Sequence, residues 1–209
     1  MLMHYEALDK KRQVLLPSLR AFKKDFYLAG GTALALQIGH RVSVDFDFFR
    51  EKDFETEDLY ERIREAFGEV VRTQESQNTL GVVVQDNVRI SFMKYRYPLL
   101  DVCLETEDLR LASLSDIGCM KLDAIVSRAE LKDYVDLFFI LKKFSLVTLL
   151  ANLAQKTPSL DQNLVLKALV SFDDIEMEPI DFIKGNVVSF TKIRKLIVES
   201  VKSVPLGIR

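Results

Sequence analysis

Apolar and polar positions along this chain follow two periods, a helical one and a two-residue one, and their order sketches the fold. Residues 5–24 carry Leu8, Val14, Leu15, Leu19 and Phe22 at roughly helical spacing among charged neighbours. Pro17 interrupts that run, so two short helices or one bent helix are expected there, lying over one face of a sheet. Residues 26–29 form a short apolar strand that ends at Gly30-Gly31. Residues 33–37 have strong helix propensity, Thr32 fits an N-cap or first-turn position, and Gly39 suits the end of that helix. Over residues 42–49 the alternation is strict. Ser43, Asp45 and Asp47 share one face while Val44, Phe46 and Phe48 share the other, the pattern of a half-buried strand. Leu59, Ile63 and Phe67 then recur at i, i+4, i+8 in an amphipathic helix over 55–67. Strand-like runs follow at 69–73, 79–85 and 88–95, with Asp86-Asn87 as a hairpin turn between the last two.

Beyond Pro98 the helical period takes over. Residues 101–111 offer two short strands around Thr106, and Ser113 or Ser115 can cap a helix starting near Leu114. From there to Phe144 there is no proline and a single glycine, Gly118. One long helix or two helices joined near 129–131 both satisfy the pattern. Residues 145–154, 161–170 and 190–204 also read as helices, separated by Pro158 and an acidic loop over 173–181. The fold class expected is α+β (mixed α/β). A sheet with flanking helices occupies residues 1–112, and a helical domain occupies 113–209.

Composition narrows the function classes. Of 209 residues, 48% are hydrophobic and 29% charged, and the net charge of −2 supplies no global basic field. Nucleic-acid contact would therefore need a local patch. Cys103 and Cys119 form no CxxC and have no histidine placed to complete a zinc site, which points to buried thiols in a reducing compartment. Charged residues 6–12 come too early for the apolar region of a signal peptide, and no apolar run approaches a membrane span. The expected location is the cytoplasm, with no membrane partner.

The candidate chemistry lies in two constellations. A Gly30-Gly31-Thr32 turn at a helix start exposes backbone N–H groups that can hold a phosphate. Asp45 and Asp47, on one strand face, offer the hard oxygens a Mg²⁺ ion takes together with substrate phosphate. Arg41 and Ser43 lie on the approach and suit phosphate oxygens. Each feature alone has an ordinary structural explanation; together they suggest nucleotidyl transfer. In the second constellation Lys121, Ala124, Ile125, Arg128 and Lys132 would form one stripe on a continuous helix. Two readings stay open there. Asp133 and Asp136 can pair with Lys121 and Arg128, with Lys132 near Asp136, in an internal ion network. Alternatively, Lys121 and Arg128 reach a triphosphate and the charge developing on it. His40 is expected at a solvent-facing helix exit and His4 near an exposed terminus. Tyr95-Arg96-Tyr97 suits either strand-end packing or single-stranded nucleic acid, the former being preferred. Lys192, Arg194, Lys195 and Lys202 suggest a solvated basic face.

Gly30-Gly31-Thr32-Ala33-Leu34 followed by Arg41-x-Ser43-x-Asp45-x-Asp47 resembles the opening motif of AbiEii-type nucleotidyltransferases, members of the DNA polymerase beta-like superfamily that include type IV toxin–antitoxin toxins. Lys121-x-x-Ala124-x-x-x-Arg128-x-x-x-Lys132-Asp133-x-x-Asp136-Leu137 resembles that family's second signature, in the same order. The likeness spans about residues 25–142. It implies that Asp45 and Asp47 bind Mg²⁺, that Gly31 and Thr32 contact nucleotide phosphates, and that Lys121 holds those phosphates. Asp133 becomes the acid of the helical half, structural or catalytic. An NTP substrate, a tRNA acceptor and a cognate antitoxin are the partners implied. One departure stands out: the superfamily's third carboxylate belongs on a later strand, and the inward position of 88–92 holds Ser91. A catalytically weak or silent nucleotide- or RNA-binding module on the same fold is therefore the alternative. A further reading makes the protein chiefly an interaction partner whose charged stripe serves helix packing.

Overall fold

Asp9 caps the first helix, α1 (Lys10–Leu19), its carboxylate accepting Arg12 N–H at 3.0 Å. The computed structural model describes residues 2–173, 175 and 177–205. Pro17 does not break α1. It stands two residues from the C-terminal end, where its missing N–H costs one helical bond, and the chain then tightens into a 3-10 turn at Arg20–Phe22. Strand β1 (Tyr27–Ala29) leads directly into α2 (Gly30–Ile38), which ends on Gly39 in the left-handed region at φ 61°. The alternating stretch becomes strand β2 (Asp45–Arg50) only from Asp45, and Val44, expected on the apolar face, is 49% exposed in the loop before it. Helix α3 (Thr56–Phe67) buries Leu59, Ile63 and Phe67 as its period requires. Strands β3 (Val71–Ser76), β4 (Thr79–Val84) and β5 (Val88–Lys94) follow. Asp86 and Asn87 both take positive φ in the β4–β5 turn, which suits their side chains and the twist of a hairpin. Two short strands complete the set, β6 (Leu104–Glu105) and β7 (Arg110–Leu111).

Among the described residues these strands make one seven-stranded mixed sheet ordered β3-β4-β5-β2-β1-β7-β6. β2 runs parallel to β5 and antiparallel to β1, so the acidic strand is central. Phe46 and Phe48 are buried on its apolar face, and Phe48 stacks on Phe92 of β5 at 5.1 Å between ring centroids. Phe22 and Phe26 close on the same ring at 5.1 and 5.0 Å. α2 packs on β1 and β2.

The described residues divide into two compact units, one up to Pro98 with Val102–Ala112, the other Leu99–Asp101 with everything from Ser113 on. The second unit is helical. Ser113 caps α4 (Leu114–Ser127), and α5 (Leu131–Leu141) follows after a break. Ser145 caps α6 (Leu146–Lys156), Asp161 caps α7 (Gln162–Val170), and Ser189 caps α8 (Phe190–Lys202). α4 is central, touching α5, α6 and α7. Gly118 lets it do so, because a Cβ there would stand 2.8 Å from Leu149 Cδ2. Within the acidic loop expected over 173–181, residues 174 and 176 lie outside the described ones. Among the described residues no single helix is long and apolar enough to cross a membrane.

Candidate nucleotide site

Gly30 and Gly31 are needed for what surrounds them. Gly30 has φ +67°, a conformation costly for residues with a Cβ, and a Cβ on it would approach Asp47 Oδ2 to 3.3 Å. A Cβ on Gly31 would overlap Arg41 Nη2 and reach Ser43 Oγ at 3.3 Å. The two missing side chains therefore allow a carboxylate and a guanidinium to reach the first turn of α2. Ala29 at the N-cap supplies no side-chain hydrogen bond, so no side chain neutralises the positive end of the helix dipole from that position.

The segment from helix to strand is held by several polar contacts. Thr32 Oγ1 hydrogen-bonds Ser43 Oγ at 2.8 Å and also donates to the Asp45 carbonyl. Ser43 N–H donates to the Ala7 carbonyl at 3.1 Å, and Arg12 Nε donates to the Val44 carbonyl at 2.5 Å. Arg41 and Ser43 are buried, and Arg41 Nη1 donates to the Val42 carbonyl at 3.0 Å. Asp45 and Asp47 are half-buried on the face opposite Phe46 and Phe48. Asp45 has no hydrogen bond or ion pair through its carboxylate among the described residues. Thus Gly30, Gly31, Thr32, Arg41, Ser43, Asp45 and Asp47 lie together in one unit. Two half-buried carboxylates beside a helix start whose N-cap residue, Ala29, brings no polar side chain fit a Mg²⁺ ion that takes its remaining ligands from phosphate and water. Among the described residues no cluster of three or more His, Cys, Asp or Glu could hold a metal without such help. Ser91 is the Cα partner of Asp47 across the parallel β2–β5 ladder, and Arg89 that of Asp45.

A cavity of about 460 Å³ lies past the C-terminal end of β2, between 53–56 and 75–78. Two of its acids are engaged, Asp53 with Lys94 and Glu75 with Arg72. It holds none of the motif residues.

In the helical unit the second constellation does not form a stripe. The chain breaks after Ser127, with Arg128 extended at φ −153°, ψ 132°, so Lys132 belongs to a different helix from Lys121. That break lets α5 pack against α4. Lys121 Nζ then lies 2.7 Å from Asp133 Oδ1 and 2.5 Å from Asp136 Oδ2. Both carboxylates are fully buried, and the lysine is 4% exposed. Arg128 Nε reaches Asp133 Oδ2 at 3.1 Å. Lys132 pairs with Glu130 at 2.8 Å, rather than with Asp136 one turn away. This is the geometry of the internal network, one of the two readings its sequence allows.

A comparable device, missed from sequence, joins Asp116 and Lys156, each fully buried, at 2.7 Å. Asp116 also accepts Leu100 N–H at 2.9 Å and Ser113 Oγ–H at 2.8 Å. Burial pushes the neighbouring Cys119 thiol up to about 12. His40, expected at a solvent-facing exit, is fully buried. The N-terminal segment covers the end of α2, with His4 N–H on the Leu36 carbonyl at 2.8 Å. Arg12 carried no signal beyond its charge, since its acceptor lies 32 residues away.

Comparison with known proteins agrees with the two motifs. The family described as nucleotidyl transferase AbiEii toxin, type IV TA system, matches residues 13–192. An uncharacterized protein of Aquifex aeolicus (strain VF5), aq_aa25, is 39% identical over 160 residues, covering 74% of this chain and 77% of that protein. The crystal structure of JHP933 from Helicobacter pylori superposes with a TM-score of 0.57 at 18% identity, over 92% of this chain and 88% of that one. MenT4, the nucleotidyltransferase toxin Rv2826c of Mycobacterium tuberculosis H37Rv, superposes with a TM-score of 0.63 at 15% identity, over 95% and 84%.

Proposed function

This chain belongs to the AbiEii family of nucleotidyltransferase toxins of type IV toxin–antitoxin systems, and on that basis we propose that it moves a nucleoside monophosphate from an NTP to an RNA acceptor, a tRNA, in a Mg²⁺-dependent reaction. The observation that carries the proposal is the meeting of Asp47 and Arg41 at the glycine turn of α2. The N-terminus of α2 and the Arg41 guanidinium attract the triphosphate. Asp45 and Asp47 would hold the metal, their oxygens presented from one strand face. When bound, Mg²⁺ supplies neutralisation of the triphosphate and of the departing charge. An acceptor hydroxyl oxygen bonds to the α-phosphorus as the α–β bridging bond breaks. Pyrophosphate leaves with that electron pair, and the hydroxyl proton passes to water. The protein's part is positioning and charge neutralisation, as in phosphoryl transfer generally.

Lys121, Arg128, Lys132 and Asp133 enter this proposal through their match to the second family signature. A phosphate role for Lys121 means competition with Asp133 and Asp136 for its ammonium. Cytoplasmic location and a cognate antitoxin complete the proposal.

The test is transfer of α-labelled ATP, GTP, CTP or UTP to total RNA with and without Mg²⁺. Label should move with the wild type and stay with Asp45→Asn and Asp47→Asn, whose circular dichroism should match wild type. Transfer by those variants at the wild-type rate would overturn the proposal. A second reading, a silent nucleotide-binding module, is favoured by Ser91 at the register position of Asp47. Mg²⁺-dependent NTP binding without transfer would select it.

A further inference from the structure

We infer that Arg12 is a positioning residue for Asp45, acting through the backbone that precedes it. The inference rests on the reading of Asp45 as a metal ligand. The Val44 carbonyl and the Asp45 N–H belong to one rigid peptide plane, and the Asp45 carbonyl belongs to the next. Arg12 Nε holds the first plane at 2.5 Å, and Thr32 Oγ1 holds the second through the Asp45 carbonyl. The two planes flanking a Cα define its φ and ψ, so these donors clamp the backbone from which the Asp45 carboxylate projects. Val44 lies before the strand begins and is 49% exposed, so its side chain adds little packing to the first plane, whose Asp45 end enters the β2–β5 ladder opposite Arg89. Arg12 is itself held. Its guanidinium pairs with Asp9, whose carboxylate also caps α1 through Arg12 N–H, and the Arg12 side chain is 13% exposed. The guanidinium suits this task because its nitrogens form a rigid fork, Nε serving Val44 while Nη1 serves Asp9. A lysine offers one donor point and cannot bridge both in that geometry.

Because Asp9 neutralises Arg12, removing the guanidinium acts on Asp45 mainly through orientation. The expected effect is that of losing a partner that orients a metal ligand, about 10–100-fold in metal affinity. The experiment titrates Mn²⁺ calorimetrically into the full chain loaded with a non-hydrolysable NTP analogue. It compares wild type, Arg12→Met, Arg12→Lys and Asp45→Asn, with analogue affinity in EDTA and thermal unfolding measured in parallel. Arg12→Met should weaken Mn²⁺ binding about tenfold or more, while analogue affinity in EDTA stays at the wild-type value. Arg12→Lys, which keeps the charge and loses the fork, should weaken it similarly, and it serves as the test if Arg12→Met does not fold. Wild-type Mn²⁺ affinity in a folded Arg12 variant overturns the inference when Asp45→Asn abolishes binding. Wild-type Mn²⁺ affinity in Asp45→Asn overturns the reading of Asp45 itself.

Discussion

Asp47 on β2 stands directly across from Ser91 on β5, one strand spacing away in a parallel ladder. The position opposite the second metal-ligand candidate is thus held by a hydroxyl. Ser91→Ala should leave Mg²⁺-dependent nucleotide binding unchanged. Ser91→Asp places a third carboxylate beside Asp47, and like charges at that spacing destabilise each other without a cation. Its melting temperature should fall below wild type in EDTA and rise more steeply than wild type with Mg²⁺, as followed by calorimetry.

The glycine turn separates two effects. Gly30→Ala forces a Cβ into the left-handed region and should destabilise the sheet unit by about 1–2 kcal/mol. Gly31→Ala meets mainly the far end of the Arg41 side chain, which can swing aside. It should therefore weaken NTP binding more than it lowers stability. Denaturant unfolding and nucleotide titration on the two variants check this.

Lys121→Met leaves the buried Asp133 and Asp136 carboxylates without their shared ammonium. The expected loss is about 3–5 kcal/mol, the cost of breaking a buried pair from one side. Replacing Lys121, Asp133 and Asp136 together by apolar residues of similar size should recover much of it. Urea unfolding of the single and triple variants measures both. If Lys121 also holds nucleotide, the triple variant will be folded and unable to bind NTP.

Cys119 stays a thiol far into alkaline pH because burial raises it to about 12. The folded state then holds a proton that the unfolded chain gives up at the ordinary thiol range. Its contribution is complete below that range and is lost as pH rises towards about 12. At pH 8 iodoacetamide should modify the half-buried Cys103 and spare Cys119 until denaturant is added. Peptide mass spectrometry distinguishes the two sites.

Much of the local structure was legible in the sequence because it depends on neighbours a few residues apart. Leu59, Ile63 and Phe67 marked one buried helix face, Gly39 marked a helix end, and Ser113 was one of two serines that could mark a helix start. The alternation at 45–48 put both aspartates on one face, since successive strand side chains point oppositely. Local pattern misled where a distant segment intervenes. Val44 continues the alternation yet sits outside the strand, with its carbonyl held by Arg12. His40 resembles a helix-end surface residue but is fully buried.

The sequence by itself determined the candidate groups: the glycine turn, the paired carboxylates and the charged residues of the second signature. Their partners were decided only by the tertiary structure. The parallel pairing of β2 with β5 puts Ser91 beside Asp47, and the break at Arg128 lets one helix bring Asp133 and Asp136 to Lys121. Lys156 reaches Asp116 across 40 residues, and Arg12 reaches Val44 across 32. The physical reason is that periodicity encodes the orientation of a side chain on its own element. Which distant group it meets depends on how whole elements pack to bury apolar surface and pair the charges buried with it.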